Sequence, residues 1–138
     1  WGGARRRKDG AGEHWGGVDG ESCWFEWTGK GGREGTGVDV LTWAGEAEDR
    51  GAGELFVNSI DADGTKEGYD IPLVGAVADT VSTPVIASSG CGGPEDIHEV
   101  FTDTGADAAL AASIFHFDEY SIQETKAYLD ERGVSVRL

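Results

Sequence analysis

The sequence predicts an α/β protein with a parallel sheet. Short apolar segments rich in β-branched residues alternate with longer segments of helical periodicity along most of the chain. Glycine-rich or acidic loops follow the short segments, as expected where parallel strands lead into helices. A chain of 138 residues has the length of one modest domain, so we expect a single domain over residues 1–138.

Residues 1–27 are expected to form an irregular strand and hairpin region. The pairs Asp9-Gly10 and Asp19-Gly20 are turn signals, and residues 22–27 are typical of a strand. The basic run at residues 5–8 is short and stands in an acidic chain, so we expect a solvated strand end there. This region therefore predicts a β-hairpin arm.

Residues 28–138 are expected to form the βα units. A glycine-rich loop over residues 28–37 is followed by a helix over 39–50 that has apolar residues at helical spacing. Strands are predicted over 54–58, 83–87 and 107–111, and further helices over 71–81, 94–104 and 121–132. Proline near a helix start (Pro72, Pro94) and glycine after a helix end (Gly51, Gly105, Gly133) support these bounds.

The loop at residues 59–70 is the main candidate for chemistry. It leaves the carboxyl end of a predicted strand and carries four carboxylates, two glycines and the hydroxyls of Ser59 and Thr65. Ligands of α/β proteins bind at that end of the sheet. Asp63 can point back over the strand end. A polar loop with a helix cap at Asp70 explains the same residues equally well, so both interpretations stand.

Two further places are suited to an anion. Ser88, Ser89 and Gly90 open a glycine-rich turn before a helix, and Ala112 and Ser113 follow the last predicted strand. Backbone N–H groups at such positions bind phosphate. His116 lies beside the second place, although a lone histidine near an apolar segment is more often structural.

The composition excludes several classes of partner. The formal net charge is −15, from 26 acidic and 11 basic residues, so neither nucleic acid nor an anionic membrane is an expected partner. Acid-rich and lysine-poor composition is similar to that of proteins from salt-loving archaea. Cys23 and Cys91 lack metal-ligand spacing, and no apolar run has signal-peptide or membrane length. We expect reduced thiols, a cytoplasmic location, no metal and no cofactor.

Residues 59–70, with the pattern S-x-D-x-D-G-T-x-x-G-Y-D, resemble the loop after strand six in the cyclase subunits of imidazole glycerol phosphate synthase. The resemblance extends over residues 23–138. It includes GKGGR (29–33), TG (36–37), GAGE (51–54), PVIASSG (84–90), AALAAS (108–113) and FHF (115–117). Several motifs in the same order make this signal far more specific than any one of them.

The resemblance implies a (β/α)8 TIM-barrel fold. Because a complete barrel needs about 200 residues or more, the chain is expected to form a C-terminal half barrel of four βα units with a hairpin arm. Such a half barrel leaves strand edges and an apolar sheet face uncovered. We therefore expect it to self-associate, to meet a missing half, or to aggregate.

The resemblance also implies an activity in histidine biosynthesis. The family's cyclase converts ammonia and a phosphoribulosyl aminoimidazole carboxamide nucleotide to imidazole glycerol phosphate and aminoimidazole carboxamide ribotide, with ammonia from a glutaminase subunit. The family's pattern carries over to Asp63 as a catalytic carboxylate, to Glu54 as part of the ammonia gate, and to one phosphate site (Ser88, Ser89, Gly90, Ala112 and Ser113). Asn58 is a substrate contact or, equally, a polar plug.

The chain departs from this family at its start. The catalytic aspartate of the family's strand five corresponds to Gly3, after Trp1 and Gly2, so the N-terminus is interpreted as truncated or replaced. We expect little or no turnover from this chain alone. Two alternatives remain open. One is the sister phosphoribosyl isomerase, although Gly68-Tyr69-Asp70 and residues 115–117 favour the cyclase. The other is a non-catalytic, phosphate-binding half barrel that self-associates.

Overall fold

The computed structural model describes residues 3–8, 15–16 and 22–138. The turns predicted at Asp9-Gly10 and Asp19-Gly20 lie outside the described residues, as do Trp1 and Gly2. The first sheet is antiparallel and contains β1 (Gly3–Arg7), β2 (Trp15–Gly16), β3 (Ser22–Gly29) and β4 (Glu34–Asp39). Strand β3 pairs with each of the other three. The predicted strand at residues 22–27 and the hairpin arm are confirmed.

The second sheet is parallel and has the order β5-β6-β7, with β5 at Leu55–Asn58, β6 at Val85–Ser88 and β7 at Ala108–Ala109. The helices are α1 (Val40–Asp49), α2 (Ile71–Thr80), α3 (Pro94–Asp103), α4 (Ser113–His116) and α5 (Ile122–Glu131). The four long predicted helices are therefore confirmed to within one or two residues, the usual uncertainty of helix ends.

The loop predicted over residues 28–37 is wrong in its second half, where β4 pairs with β3. The Thr36 hydroxyl donates to the Trp27 carbonyl (2.5 Å), and the Gly37 N–H donates to Glu26 (2.9 Å). The register shifts between Trp27 and Thr28. Pairing with the edge of β3 therefore makes this glycine-rich segment a strand, although it has little strand propensity of its own.

Among the described residues, one isolated β-bridge connects the two sheets. Ala4 pairs in parallel with Ser59, and the Ile60 N–H donates to the Ala4 carbonyl (2.9 Å). Strand β1 therefore lies beside β5, and β1, β5, β6 and β7 form four neighbouring strands. With α1, α2 and α3 as connections, this is a C-terminal half of a (β/α)8 arrangement, from which β3 and β4 project as the arm.

The core lies between the parallel sheet and its helices. Val57, Val85 and Ala87 face this core from β5 and β6, and it is completed by the buried residues Leu73, Val74 and Val77 of α2 and Val100 of α3. The other face of the sheet is open, because Phe56 and Leu110 remain 47% and 43% exposed. In a closed barrel that face would line the interior.

The basic run at residues 5–8 is solvated at its end, as the sequence predicts, because Arg7 and Lys8 are exposed, but Arg6 and Arg7 also pair with buried acids. Arg6 donates to the buried Asp70 (3.1 Å), and Arg7 lies 3.1 Å from the buried Glu26. A buried carboxylate is costly without a cationic partner. The tertiary structure therefore uses these arginines to neutralise buried acids. None of the described helices is both long and apolar enough to cross a membrane.

Candidate functional site

A cavity of about 180 Å³ lies at the carboxyl ends of β6 and β7, beside the loop after β5. All six residues that the sequence predicts for the loop carboxylate and the phosphate site line it: Asp63, Ser88, Ser89, Gly90, Ala112 and Ser113. Sites for whole drug-sized ligands occupy about 300–1,000 Å³. The cavity therefore suits one end of a larger molecule, such as a single phosphate group.

The wall at the end of β6 has an unusual backbone. Ser89 has φ +79° and Gly90 has φ +95°. The left-handed conformation is uncommon for a residue with a Cβ, and such strain is found mainly at functional sites. The backbone N–H groups of Gly90, Ala112 and Ser113 form no hydrogen bond with any described residue. These donors are free for an anion in the cavity.

Asn58 ends β5 and holds this wall in place. Its side-chain oxygen accepts a hydrogen bond from the Ser89 hydroxyl (2.6 Å) and a longer one from the Ser88 hydroxyl (3.4 Å). Asn58 itself lines a separate cavity of about 120 Å³ between β1, β5 and α1. The structure therefore places Asn58 behind the wall at the end of β6, where it orients the two serines.

The loop at residues 59–70 packs backbone against backbone on the turn after β6. The Gly68 N–H donates to the Gly90 carbonyl (2.9 Å). A Cβ at Gly90 would overlap the Gly68 carbonyl oxygen, and a Cβ at Gly92 would overlap the Lys66 carbonyl oxygen. Glycine is therefore required at both positions, and this close approach brings Asp63 to the cavity.

The two interpretations of this loop apply to different residues. Asp70 is a buried helix cap that accepts from the Leu73 N–H (3.3 Å) and the Ser59 hydroxyl (3.0 Å), so the predicted cap is confirmed. Asp63 is exposed, lines the cavity and forms no side-chain hydrogen bond with another described residue. Its carboxylate is available to a ligand.

Tyr69 ties the same loop to the end of β7, a role that the sequence analysis missed. Its hydroxyl donates to the Leu110 carbonyl (2.9 Å). Burial raises the pKa of Tyr69, and burial also raises the pKa of the neighbouring Cys91 thiol. Cys91 therefore stays a thiol at neutral pH and packs as a small side chain, because the thiolate is the reactive form.

Lys66 is a second residue that the sequence analysis missed. It is the one cation among the described residues that line the cavity. Its ammonium forms an ion pair with Glu119 and lies 6.0 Å from the centre of the Phe117 ring. The available signal was a lysine inside the candidate loop of a lysine-poor chain.

Gly3 and Glu54 do not reach the cavity. Gly3 lies buried in β1, where it pairs with Thr28 and lines the separate cavity next to Asn58. No carboxylate stands at this position, and a Cβ there would lie 2.6 Å from the Ile60 Cδ1 atom. Glu54 precedes β5 and is exposed. The sheet face beside it is uncovered.

The chemistry available at the cavity is anion binding beside one carboxylate. The backbone N–H groups of Gly90, Ala112 and Ser113 suit a phosphate. Asp63 can exchange a proton with a bound molecule. In the described part of the chain, no group of three or more His, Cys, Asp or Glu side chains is placed to hold a metal ion. His116 is exposed and packs edge-on against Phe117.

Comparison with known proteins identifies relatives from histidine biosynthesis. Residues 10–121 match the histidine biosynthesis protein family. The chain is 78% identical over 98% of its length to the imidazole glycerol phosphate synthase subunit HisF of Haloarcula marismortui, and 77% identical to that of Natronomonas pharaonis. The subunit of Methanothermobacter thermautotrophicus is 57% identical over 88% of the chain. The chain spans about half the length of these curated relatives, between 44% and 50%.

Proposed function

The chain belongs to the histidine biosynthesis protein family, and on this premise we propose that it is the C-terminal half of an imidazole glycerol phosphate synthase cyclase subunit. The observation that carries the proposal is the cavity, because all six predicted loop and phosphate residues line it. The matches to the haloarchaeal HisF subunits, at 77–78% identity, cover 98% of the chain. The acidic composition, with a net charge of −15, suits a salt-loving source.

In the proposed reaction, ammonia and a phosphoribulosyl aminoimidazole carboxamide nucleotide give imidazole glycerol phosphate and aminoimidazole carboxamide ribotide. The N–H groups of Gly90, Ala112 and Ser113 hold one phosphate of the substrate, which fixes the carbon chain relative to Asp63. Asp63 then serves as a proton donor or acceptor during ring closure. Such a group works best as one of an acid and base pair on opposite sides of the substrate.

The resemblance puts the acid and base pair at the ends of the family's strands one and five, with Asp63 as a further loop carboxylate, and this chain supplies neither member of the pair. The position proposed for the strand-five member is Gly3, which lies in β1 next to β5. We therefore propose little or no turnover for this chain alone. Full activity requires a carboxylate at residue 3 and the N-terminal half of the barrel, which would cover the open face at Phe56 and Leu110.

Glu54 is proposed to belong to a charged ring at the barrel floor. It precedes β5, at the end of the sheet opposite the cavity. A glutaminase subunit docked at that end would deliver ammonia through the closed barrel to Asp63. The two cysteines are free and buried, which supports a reducing cytoplasmic location.

A second candidate function follows from the open sheet face. Phe56 is 47% exposed in the middle of β5, and a second copy of the chain can cover it. That candidate is a self-associating half barrel that binds phosphate esters without turnover. The sister phosphoribosyl isomerase is less well supported, because the matching relatives are named as synthase subunits.

The test is an ammonia-dependent cyclisation assay in molar KCl that follows loss of the substrate's absorbance. The chain alone should show no turnover. In the Gly3→Asp variant the end of the Ile60 side chain must move to admit the added Cβ. This variant, mixed with the N-terminal half of a haloarchaeal relative, should gain activity, and adding Asp63→Asn should remove it. Binding of phosphate esters without turnover in every combination would instead support the self-associating alternative. Turnover by the unmodified chain alone would contradict the assigned acid and base positions.

A further inference from the structure

The charge around the candidate phosphate cavity poses a physical problem. The chain carries a net charge of −15, and the Asp63 carboxylate lines the cavity itself. A phosphate dianion is repelled by both. Neutral N–H donors provide hydrogen bonds, yet they leave this repulsion without a full opposing charge. A cation within contact distance of the anion would remove much of the penalty.

Lys66 is placed to supply that charge. It lines the cavity, and its carbonyl packs against Gly92 in the turn after β6. Its backbone has φ +55°, an uncommon conformation for a residue with a Cβ, so the fold holds this side chain in position against a local preference. Lysine binds phosphate as a compact point charge with three donors.

The side chains that Lys66 contacts in this structure compete only weakly with a bound phosphate. The Lys66 and Glu119 side chains are 41% and 39% exposed, and exposed ion pairs contribute little net stability. The Phe117 ring at 6.0 Å adds a second weak attraction. A bound phosphate would offer the ammonium a stronger, partly desolvated partner at the cavity.

We propose that Lys66 is the cationic contact for the phosphate in this cavity, and that Glu119 competes with the phosphate for the same ammonium. Without ligand, Lys66 pairs with Glu119 at the cavity mouth. When phosphate binds, Lys66 exchanges this carboxylate for a phosphate oxygen and Glu119 becomes free. This inference rests on the proposed phosphate site and adds the residue that makes the site selective for anions.

The test is titration of the full chain with inorganic phosphate by calorimetry, in about 1 M KCl, where the Debye length is about 3 Å. Distant charges are screened there, so only a direct contact gives a large effect. We expect Lys66→Gln to raise the Kd about tenfold, as loss of one charge-assisted hydrogen bond implies. Lys66→Arg should bind within a few-fold of the unmodified chain.

Lys30→Gln is the matched control, because it removes one positive charge and one exposed ion pair, with Glu34 (2.8 Å), away from the cavity. It should leave the Kd unchanged. Glu119→Gln should tighten binding several-fold when Lys66 is present and have no effect in the Lys66→Gln background. Circular dichroism on each variant checks that the fold is retained.

The possible results test the role of Lys66 separately from the existence of the phosphate site. Phosphate binding that is equal in the unmodified chain and in Lys66→Gln would overturn the proposal for Lys66 and leave the phosphate site standing. An equal effect of Glu119→Gln in both backgrounds would overturn the competition. Failure of the unmodified chain to bind millimolar phosphate would overturn the phosphate site and, with it, the role of Lys66.

Discussion

Two small residues decide how the candidate site is built. Ser89 and Gly90 both have positive φ angles, and they turn the chain sharply at the end of β6. Gly90 also allows the loop at residues 59–70 to approach, since its carbonyl accepts from the Gly68 N–H. The absence of a side chain at one position thus sets the distance between two loops.

Gly90→Ala should destabilise the chain by about 2–4 kcal/mol, from overpacking plus left-handed strain. Gly64→Ala is the matched control, because Gly64 has φ +76° but no atom within 4 Å of an added Cβ. It should cost only the strain, about 1 kcal/mol. Urea unfolding in molar KCl measures both, and equal costs would contradict the close packing described for Gly90.

Protonation of Glu48 should lower the free energy of unfolding. Its carboxylate accepts from the Ser82 N–H (2.7 Å), the Thr83 N–H (2.6 Å) and the Thr83 hydroxyl (2.6 Å). These hydrogen bonds, that of the Thr83 hydroxyl first, hold the pKa of Glu48 below its ordinary value of 4.5. They connect the end of α1 to the turn before β6.

A lowered folded-state pKa means that the unfolded chain takes up the proton first as pH falls. The contribution of Glu48 is therefore fully present above about pH 5 and is lost as pH falls below 4.5 and through the folded-state pKa. Glu48→Gln should reduce the loss of stability with acid over this range. Urea midpoints compared at several pH values measure this difference.

The loop after β5 works as a brace across the parallel sheet. It contacts β1 through Asp61, which accepts from the Arg6 N–H (2.6 Å), and it contacts β7 through Tyr69. Between these ends it lies on the turn after β6. One loop thereby reaches all four neighbouring strands, which explains how a short, polar segment keeps a defined shape.

Tyr69→Phe should cost about 1 kcal/mol, the net value of one hydrogen bond whose carbonyl partner can turn to water. Tyr128→Phe is the control, because the Tyr128 ring packs under Arg132 (3.5 Å) and its hydroxyl has no described partner. Its urea midpoint should not change. A midpoint for Tyr69→Phe that equals that of the unmodified chain would show that the brace does not depend on this bond.

At the scale of the whole molecule, the fold is a half barrel with one face open. The helices cover one side of β5, β6 and β7, while Phe56 and Leu110 on the other side remain about half exposed. The charge of −15 keeps copies apart at low salt and is screened at high salt. We therefore expect association through the open face to be strongest at high salt, the condition that the acidic composition suits.

Sedimentation velocity in about 2 M KCl, where charge repulsion is screened, should show a dimer or larger species. Phe56→Ser should shift the distribution toward monomer, because it removes the central apolar side chain of the open face. Ile122→Ser, at a 58% exposed position on α5, should not. A monomer for the unmodified chain under these conditions would leave a covering N-terminal half as the remaining explanation of that face.

Much of the fold and of the candidate site could be predicted from the sequence. Helical spacing and proline and glycine punctuation predicted the four long helices, and motif order predicted the family and the fold. Asp63, Ser88, Ser89, Gly90, Ala112 and Ser113 were predicted as site residues, and they meet at one cavity. Helix periodicity, cap residues and motif order are properties of neighbours along the chain, so a single sequence is enough to determine them.

Only the tertiary structure decided the rest, because those features depend on partners distant in sequence. Strand β4 exists because β3 offers an edge, and Arg6 is paired because Asp70, 64 residues later, is buried beside it. Tyr69 is held by Leu110, and Lys66 lies at the cavity because glycines 90 and 92 let two backbones touch. Local patterns determined the elements and the family, whereas long-range packing determined the charge and shape of the site.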